Sequence, residues 1–258
     1  FEPHPKELFL KAKAPKRIYT LREKIYCLKS MGIDYVACID FNQNFSNISA
    51  EQFVKTILHE KLAAKYILIG HDFLFGKARH GNLMLLQSLG QTLGFSAQEY
   101  QIFTHNHERV SSTLIRKLLQ DSDIQTAQEM LGRPYAIIGR VVYGRQLARE
   151  WGFPTANIAV LPQKLSLNGV FCVKIRICGQ NQEYQGVANI GYRPTIDGQK
   201  PFLEVFIFDY SGSLYGQFLE ISFCHHLRKE QKFAGIEQLR MQIENDIANA
   251  KAYFSTNS

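Results

Sequence analysis

Phe171-Cys172-Val173-Lys174-Ile175-Arg176-Ile177 sets Phe, Val and Ile at every second position with Cys, Lys and Arg between them, the period of a strand that buries one face. Strand-like runs surround it at 135–143, 184–190, 203–208 and 218–223, and no helical period interrupts them. Antiparallel strands in this number must hide their edges, so the spacing predicts a small, closed Greek-key β-barrel. After Gly235 the period lengthens to four, with Leu239, Ile243 and Ile247 on one stripe, which predicts a C-terminal helix packed on that barrel.

The first half reads differently. Thr20-Leu-Arg-Glu23 is a capping box, followed by Leu21, Ile25 and Leu28 on one helical face and a stop at Gly32. Tyr35-Val-Ala-Cys-Ile39 is predicted as a strand buried on both faces. Ser49-Ala-Glu-Gln52 opens a second amphipathic helix with Phe53, Ile57, Leu58 and Leu62, and Tyr66-Ile-Leu-Ile69 follows as a second buried strand. Such alternation implies an open, Rossmann-like α/β sheet. A short helix over 124–131 ends at Gly132-Arg-Pro134, which divides the chain into an α/β domain, 1–131, and an all-β domain, 132–258.

Of the 258 residues 45% are hydrophobic and 21% charged, an ordinary globular composition. The formal charge of +7 is spread evenly, with 16 Lys+Arg against 13 Asp+Glu up to residue 130 and 14 against 10 beyond it. A dispersed excess without a basic element suits small anionic ligands such as nucleotides, not nucleic acid. Five scattered cysteines without C-x-x-C read as reduced thiols, and no apolar run nears the ~20 residues of a membrane span. The expectation is a cytoplasmic protein with neither a membrane nor a nucleic-acid partner. His105 and His107, on a polar loop, receive no metal role.

Chemistry concentrates between 144 and 158. Gly144 and Gly152 bracket Arg145 and Arg149, which suits a loop that brings backbone to a bulky anion, though a plain surface turn has the same composition. Pro154 keeps its flank extended, so Thr155 and Asn157 leave the turn two residues apart on one side. A Thr hydroxyl and an Asn carbonyl are hard oxygen ligands of the kind Mg²⁺ accepts. Glu204 shares strand parity with Phe202, Phe206 and Phe208, so its carboxylate is expected among rings, with a raised pKa useful to a general base; an edge-exposed or salt-bridged Glu is the structural alternative. In the first half Gly70-His-Asp72-Phe73 and Phe75-Gly76-Lys-Ala-Arg79-His-Gly81 follow a strand directly, as a nucleotide lip or a Gly-rich loop. Ser111, Ser112 and Thr113 open a helix bracketed by Arg109 and Arg116, a phosphate-binding start or an ordinary Ser cap.

Gly152-Phe-Pro-Thr-Ala-Asn157-Ile, Asn189-Ile-Gly-Tyr-Arg-Pro-Thr195 and Leu203-Glu204-Val resemble the riboflavin kinase module, and the upstream sequence resembles the FMN adenylyltransferase module, of the bacterial bifunctional FAD synthetase family. The similarity covers nearly the whole chain. It implies a barrel that phosphorylates riboflavin with ATP and Mg²⁺, with Glu204 as base, Thr155 and Asn157 on the metal and the Gly144–Gly152 loop on the phosphates. It implies an α/β domain that adenylylates FMN, with Ser111, Ser112, Thr113 and Arg116 on the triphosphate and His4, Pro5, Gly70, Asp72, Phe73, Gly76 and Arg79 about nucleotide and flavin. Arg228-Lys-Glu230 is a charged lid over flavin or a solvated turn. The family's paired-histidine H-x-G-H does not occur and Phe1-Glu-Pro-His4-Pro5 resembles an internal segment, so the α/β domain is expected without its first strand, making FMN and little FAD. Phe206 replaces a frequent histidine and Ala148 a frequent glycine. Rival readings are a silent flavin- or nucleotide-binding module and an oligonucleotide-binding barrel, the latter disfavoured by strands without interleaved basic and aromatic residues.

Overall fold

In the computed structural model the described residues are 1–144, 153–161, 167–195 and 198–257, the side chains of 194, 195, 198 and 199 apart. They form, in chain order, α1 (Pro5–Leu10), α2 (Leu21–Ser30), α3 (Gln43–Ser46), α4 (Ala50–Gln52), β1 (Tyr66–Ile69), α5 (Leu83–Leu93), β2 (Ser96–Glu99), β3 (Thr104–His105), β4 (Glu108–Arg109), α6 (Ser112–Gln120) and α7 (Ile124–Leu131). The barrel strands follow: β5 (Ala136–Val142), β6 (Thr155–Ile158), β7 (Gly169–Ile177), β8 (Glu183–Thr195), β9 (Gly198–Ile207) and β10 (Phe218–Arg228), with α8 (Ile236–Thr256) last. Two compact units interleave along the chain, Phe1–Pro15 with Tyr35–Val110, and Lys16–Asp34 with Ser111–Ser258.

In the first unit β1 and β2 pair in parallel, Tyr66 opposite Ser96 and Ile69 opposite Glu99, joined through α5. Phe53, Val54, Ile69, Phe75, Leu86 and Phe95 make its core. Ser49 caps α4 by accepting the Gln52 N–H, as its sequence predicts, and the helix continues as π-helical turns over Phe53–Lys61. Two expectations are corrected. Tyr35–Ile39 is not a strand: Tyr35 is 93% exposed, and beside the run stands only the single bridge from Glu2 to Asp40. An apolar run becomes a buried strand only when neighbours cover both faces, and none of the described residues do so. β1 forms as expected but buries one side only, with Ile69 in the core and Tyr66 and Leu68 exposed.

The second unit is built on the predicted barrel, closed in the order β10-β5-β6-β9-β8-β7 with every pairing antiparallel. Phe171, Val173, Ile175 and Ile177 alternate inward and meet Phe223, Ile221 and Leu219 of the facing strand. The other face of β7 is buried as well: Val170 and Cys172 pack with Val187, Phe208, Ala250 and Phe254, which seats α8 on the barrel wall. That double burial also pushes the Cys172 thiol up to about 12. Gly132, with φ 67°, ends α7 as expected.

Helix α2 turns a face inward that its apolar stripe does not predict. Ile25 is exposed, whereas Glu23 is 1% exposed. Its Oε2 accepts the Thr20 N–H at 2.7 Å, completing the capping box, and its Oε1 accepts the Ile138 N–H of β5 at 2.7 Å. Two satisfied backbone donors, one of them a barrel strand's, outweigh the burial of one isoleucine.

Candidate active sites

Strand register assembles the barrel's site. β9 sets Glu204 directly opposite Asn157 of β6 on one side and Asn189 of β8 on the other. Directly opposite residues share a face, so one carboxylate stands between two amides, about 5 Å from each between β-carbons. Their backbone neighbours Leu203, Val205, Ala188, Ile190 and Ile158 point into the barrel and are buried. The expected parity of Glu204 with Phe202, Phe206 and Phe208 therefore holds.

This outer face, α8 and the chain over 228–233 enclose a cleft of about 410 Å³. Phe153, Val187, Phe206, Ile243 and Ile247 line it with apolar surface, and Thr155, Asn189, Arg193, Glu204, Arg228 and Glu230 with polar groups. The Phe153 and Phe206 rings meet edge to face at 5.8 Å. Such a wall suits a flat apolar ring system with a polar tail.

Glu204 is half-buried but not isolated. Arg193 Nη2 lies 2.9 Å from its Oε1, and the same guanidinium covers the Phe202 ring at 4.2 Å. The ion pair, legible in sequence only as the salt-bridged alternative, leaves Oε2 as the carboxylate's other acceptor. Glu230 supplies a second carboxylate, packed so tightly on Gly191 that a β-carbon there would lie 2.2 Å from its Oε2. Burial holds Glu230 above the usual carboxylate range, against the opposing pull of Arg193 and Arg228. Arg228 is a strut: it grips Asp246 of α8 through Nε and Nη2 at 2.7–3.1 Å, and Gln242 steadies the same carboxylate at 2.9 Å.

Gly144 serves close approach, though of a side chain. A β-carbon there would fall 2.2 Å from Asn157 Cγ and Nδ2, so the glycine lets the backbone clamp the Asn157 amide. Arg145, Arg149 and Gly152, with Ala148, lie outside the described residues. Thr155 lines the cleft and also a second hollow of about 600 Å³ with Pro154, Ala156, Val205 and the chain over 210–215.

The first unit has its own cleft, about 360 Å³, lined by His4, Pro5, Phe41, Phe53, Phe73, Phe75, Gly76 and Arg79 among others. Phe73 and Phe75 stack at 5.6 Å and 24°. Gly76 is needed twice over, with φ +72° and a would-be β-carbon 2.5 Å from Ala50 backbone. His4 caps α1, its Nδ1 accepting the Lys6 N–H at 3.1 Å, which fixes that nitrogen as unprotonated. Gly70 and Asp72 lie outside this cleft's wall; Asp72 pairs with Arg109 at 2.5 Å. Ser111, Ser112, Thr113 and Arg116 belong to the second unit. There Ser111 caps α6 through the Leu114 N–H, and Arg116 donates to the Lys16 and Ser112 carbonyls at 2.6 and 3.0 Å.

A riboflavin kinase family model matches residues 131–254 and an FAD synthetase family model residues 1–114. The Haemophilus influenzae bifunctional riboflavin kinase/FMN adenylyltransferase is 42% identical over 99% of this chain and 83% of its own length. The enzyme of the same name from Escherichia coli K12 is 40% identical over 98% of this chain and 81% of its own. Among solved structures, a Streptococcus pneumoniae protein described as a macrolide-efflux protein superposes with a TM-score of 0.76 and 28% identity, over 95% of this chain and 77% of its own. Among the described residues no helix is long and apolar enough to cross a membrane.

Proposed function

The chain belongs to the bifunctional riboflavin kinase/FMN adenylyltransferase family, phosphorylating riboflavin to FMN and adenylylating FMN to FAD with ATP, and from that premise we propose how its residues divide the work. Residues 132–258 form the kinase domain and 1–131 the adenylyltransferase domain, a division close to the limits of the two family matches.

In the kinase, riboflavin enters the 410 Å³ cleft with its ring against Phe153 and Phe206 and its ribityl chain toward Glu204. ATP lies on the Pro154 side. The observation that carries this arrangement is Thr155, which lines both hollows and so stands where donor and acceptor meet. Glu204 takes the proton of the terminal hydroxyl as its oxygen bonds to the γ-phosphorus and the bond to ADP breaks. Arg193, bound to Oε1, orients the carboxylate so that Oε2 faces the hydroxyl. Gly144, Arg145, Arg149 and Gly152 receive the phosphates. The hydroxyl of Thr155 and the clamped amide oxygen of Asn157 are hard donors on one strand and fit Mg²⁺, which when bound neutralises phosphate charge. Arg228 and Glu230 close the flavin side.

In the other domain the phenylalanine-lined cleft receives the flavin, with His4, Pro5, Phe73, Gly76 and Arg79 around it, and Gly70, Asp72 and Arg109 serve the nucleotide; Ser111, Ser112, Thr113 and Arg116, at the start of α6, are proposed for the triphosphate. The protein works in the cytoplasm. Incubation with riboflavin, ATP and Mg²⁺ followed by chromatography should yield FMN and then FAD, as both family matches favour, in place of the small FAD yield expected from the missing H-x-G-H; flavin binding without either product would favour the silent module.

A further inference from the structure

We propose that Asn189 is a specificity-determining residue of the kinase cleft, its side-chain oxygen accepting a hydrogen bond from an inner hydroxyl of the ribityl chain. The inference rests on the kinase reading, and none of the roles assigned above uses this residue.

Asn189 Oδ1 is buried and has no hydrogen-bond partner among the described residues. A buried acceptor left without a donor is destabilising, so an amide kept there implies a donor that arrives with the ligand. The cleft's two guanidiniums are engaged elsewhere, Arg193 on Glu204 and Arg228 on Asp246. Asn189 lines the cleft and stands directly opposite Glu204 in the β8–β9 register. A polyol chain whose terminal hydroxyl reaches Glu204 therefore passes Asn189 a few carbons earlier, where its next donors are secondary hydroxyls. The flavin ring cannot be that donor once it lies against the apolar wall of Phe153, Phe206 and Ile243, away from Glu204.

The test pairs two ligands with the chain and its variants. One is riboflavin; the other is the analogue in which a 5-hydroxypentyl chain replaces ribityl, keeping the reacting hydroxyl but no inner ones. Quenching of flavin fluorescence, without ATP, gives each affinity. The unsubstituted chain should prefer riboflavin by about tenfold, the worth of one hydrogen bond to a buried acceptor. Asn189→Leu should weaken riboflavin by about the same factor, leave the analogue within about twofold and so erase the preference. Asn189→Ala, which cannot crowd the cleft, should do likewise, whereas Asn189→Asp retains acceptor oxygens and should keep most of it. Equal weakening of both ligands, or an unchanged preference in the Leu and Ala variants, overturns the proposal. Phosphorylation of riboflavin by the unsubstituted chain is measured separately: preferential binding without turnover would refute the kinase reading and leave the Asn189 contact standing.

Discussion

Glu204 is the residue on which we propose that the kinase chemistry turns. Glu204→Gln keeps its volume and removes the base, so riboflavin turnover should drop about 10²–10⁴-fold while riboflavin affinity survives, read from kcat and from fluorescence titration. Near-parental kcat would remove the residue from the mechanism. Glu230 offers a pH signature. Burial raises its folded pKa, so the folded state holds that proton more tightly than the unfolded chain; the resulting stabilisation is complete below the ordinary carboxylate range and lost as pH rises through the raised value. The Tm of Glu230→Gln minus that of the parent should thus grow between acid and neutral pH, and a flat difference would deny the shift. Gly144→Ala addresses the clamp on Asn157. The added carbon collides with a side chain that can swing aside, so Tm should hardly move while the KM for ATP rises. Much of this site was legible, because strand parity alone aims Glu204, Thr155 and Asn157 outward. The Arg193 pair and the orphaned Asn189 oxygen were not, since both depend on register between strands that only the closed barrel sets.

At the scale of elements, sequence period served well where an element's own neighbours cover it. The barrel strands alternate because one face meets the interior, and α8 follows its stripe of Leu239, Ile243 and Ile247. Period misled where hydrogen bonding decides orientation or where coverage is lacking. Helix α2 buries its capping glutamate and leaves Ile25 outside, and Tyr35–Ile39 has the composition of a central strand without strand neighbours. The α2 arrangement makes a sharp stability forecast. Glu23→Ala strands the N–H groups of Thr20 and Ile138, a loss of about 2–6 kcal/mol at about 1–3 per buried donor. Glu23→Gln, which keeps one acceptor oxygen, should lose less. Thermal unfolding followed by circular dichroism compares the two; equal, small losses would mean that α2 contributes little to the barrel unit.

On the scale of the molecule, the clefts proposed for the two chemistries share none of the described residues. Glu204→Gln should therefore leave conversion of supplied FMN to FAD at the parental rate, and a Phe73→Ala change should spare FMN formation from riboflavin. Loss of both activities in either variant would tie the sites together. The way the barrel shuts has a further bearing, on the order of events at the ribosome. β10 is the last strand of the ring and joins β5 to β7, pairing Phe218–Ser222 with Arg140–Ala136 and Leu219–Arg228 with Ile177–Val170. Until translation has passed residue 228 a nascent chain carries two open strand edges that it cannot satisfy from its own length, and open edges recruit other chains. A message cut short within 209–217 should give an insoluble, protease-sensitive product, whereas one reaching the end of α8 should give a soluble one, which makes this half of the enzyme the part most dependent on uninterrupted synthesis.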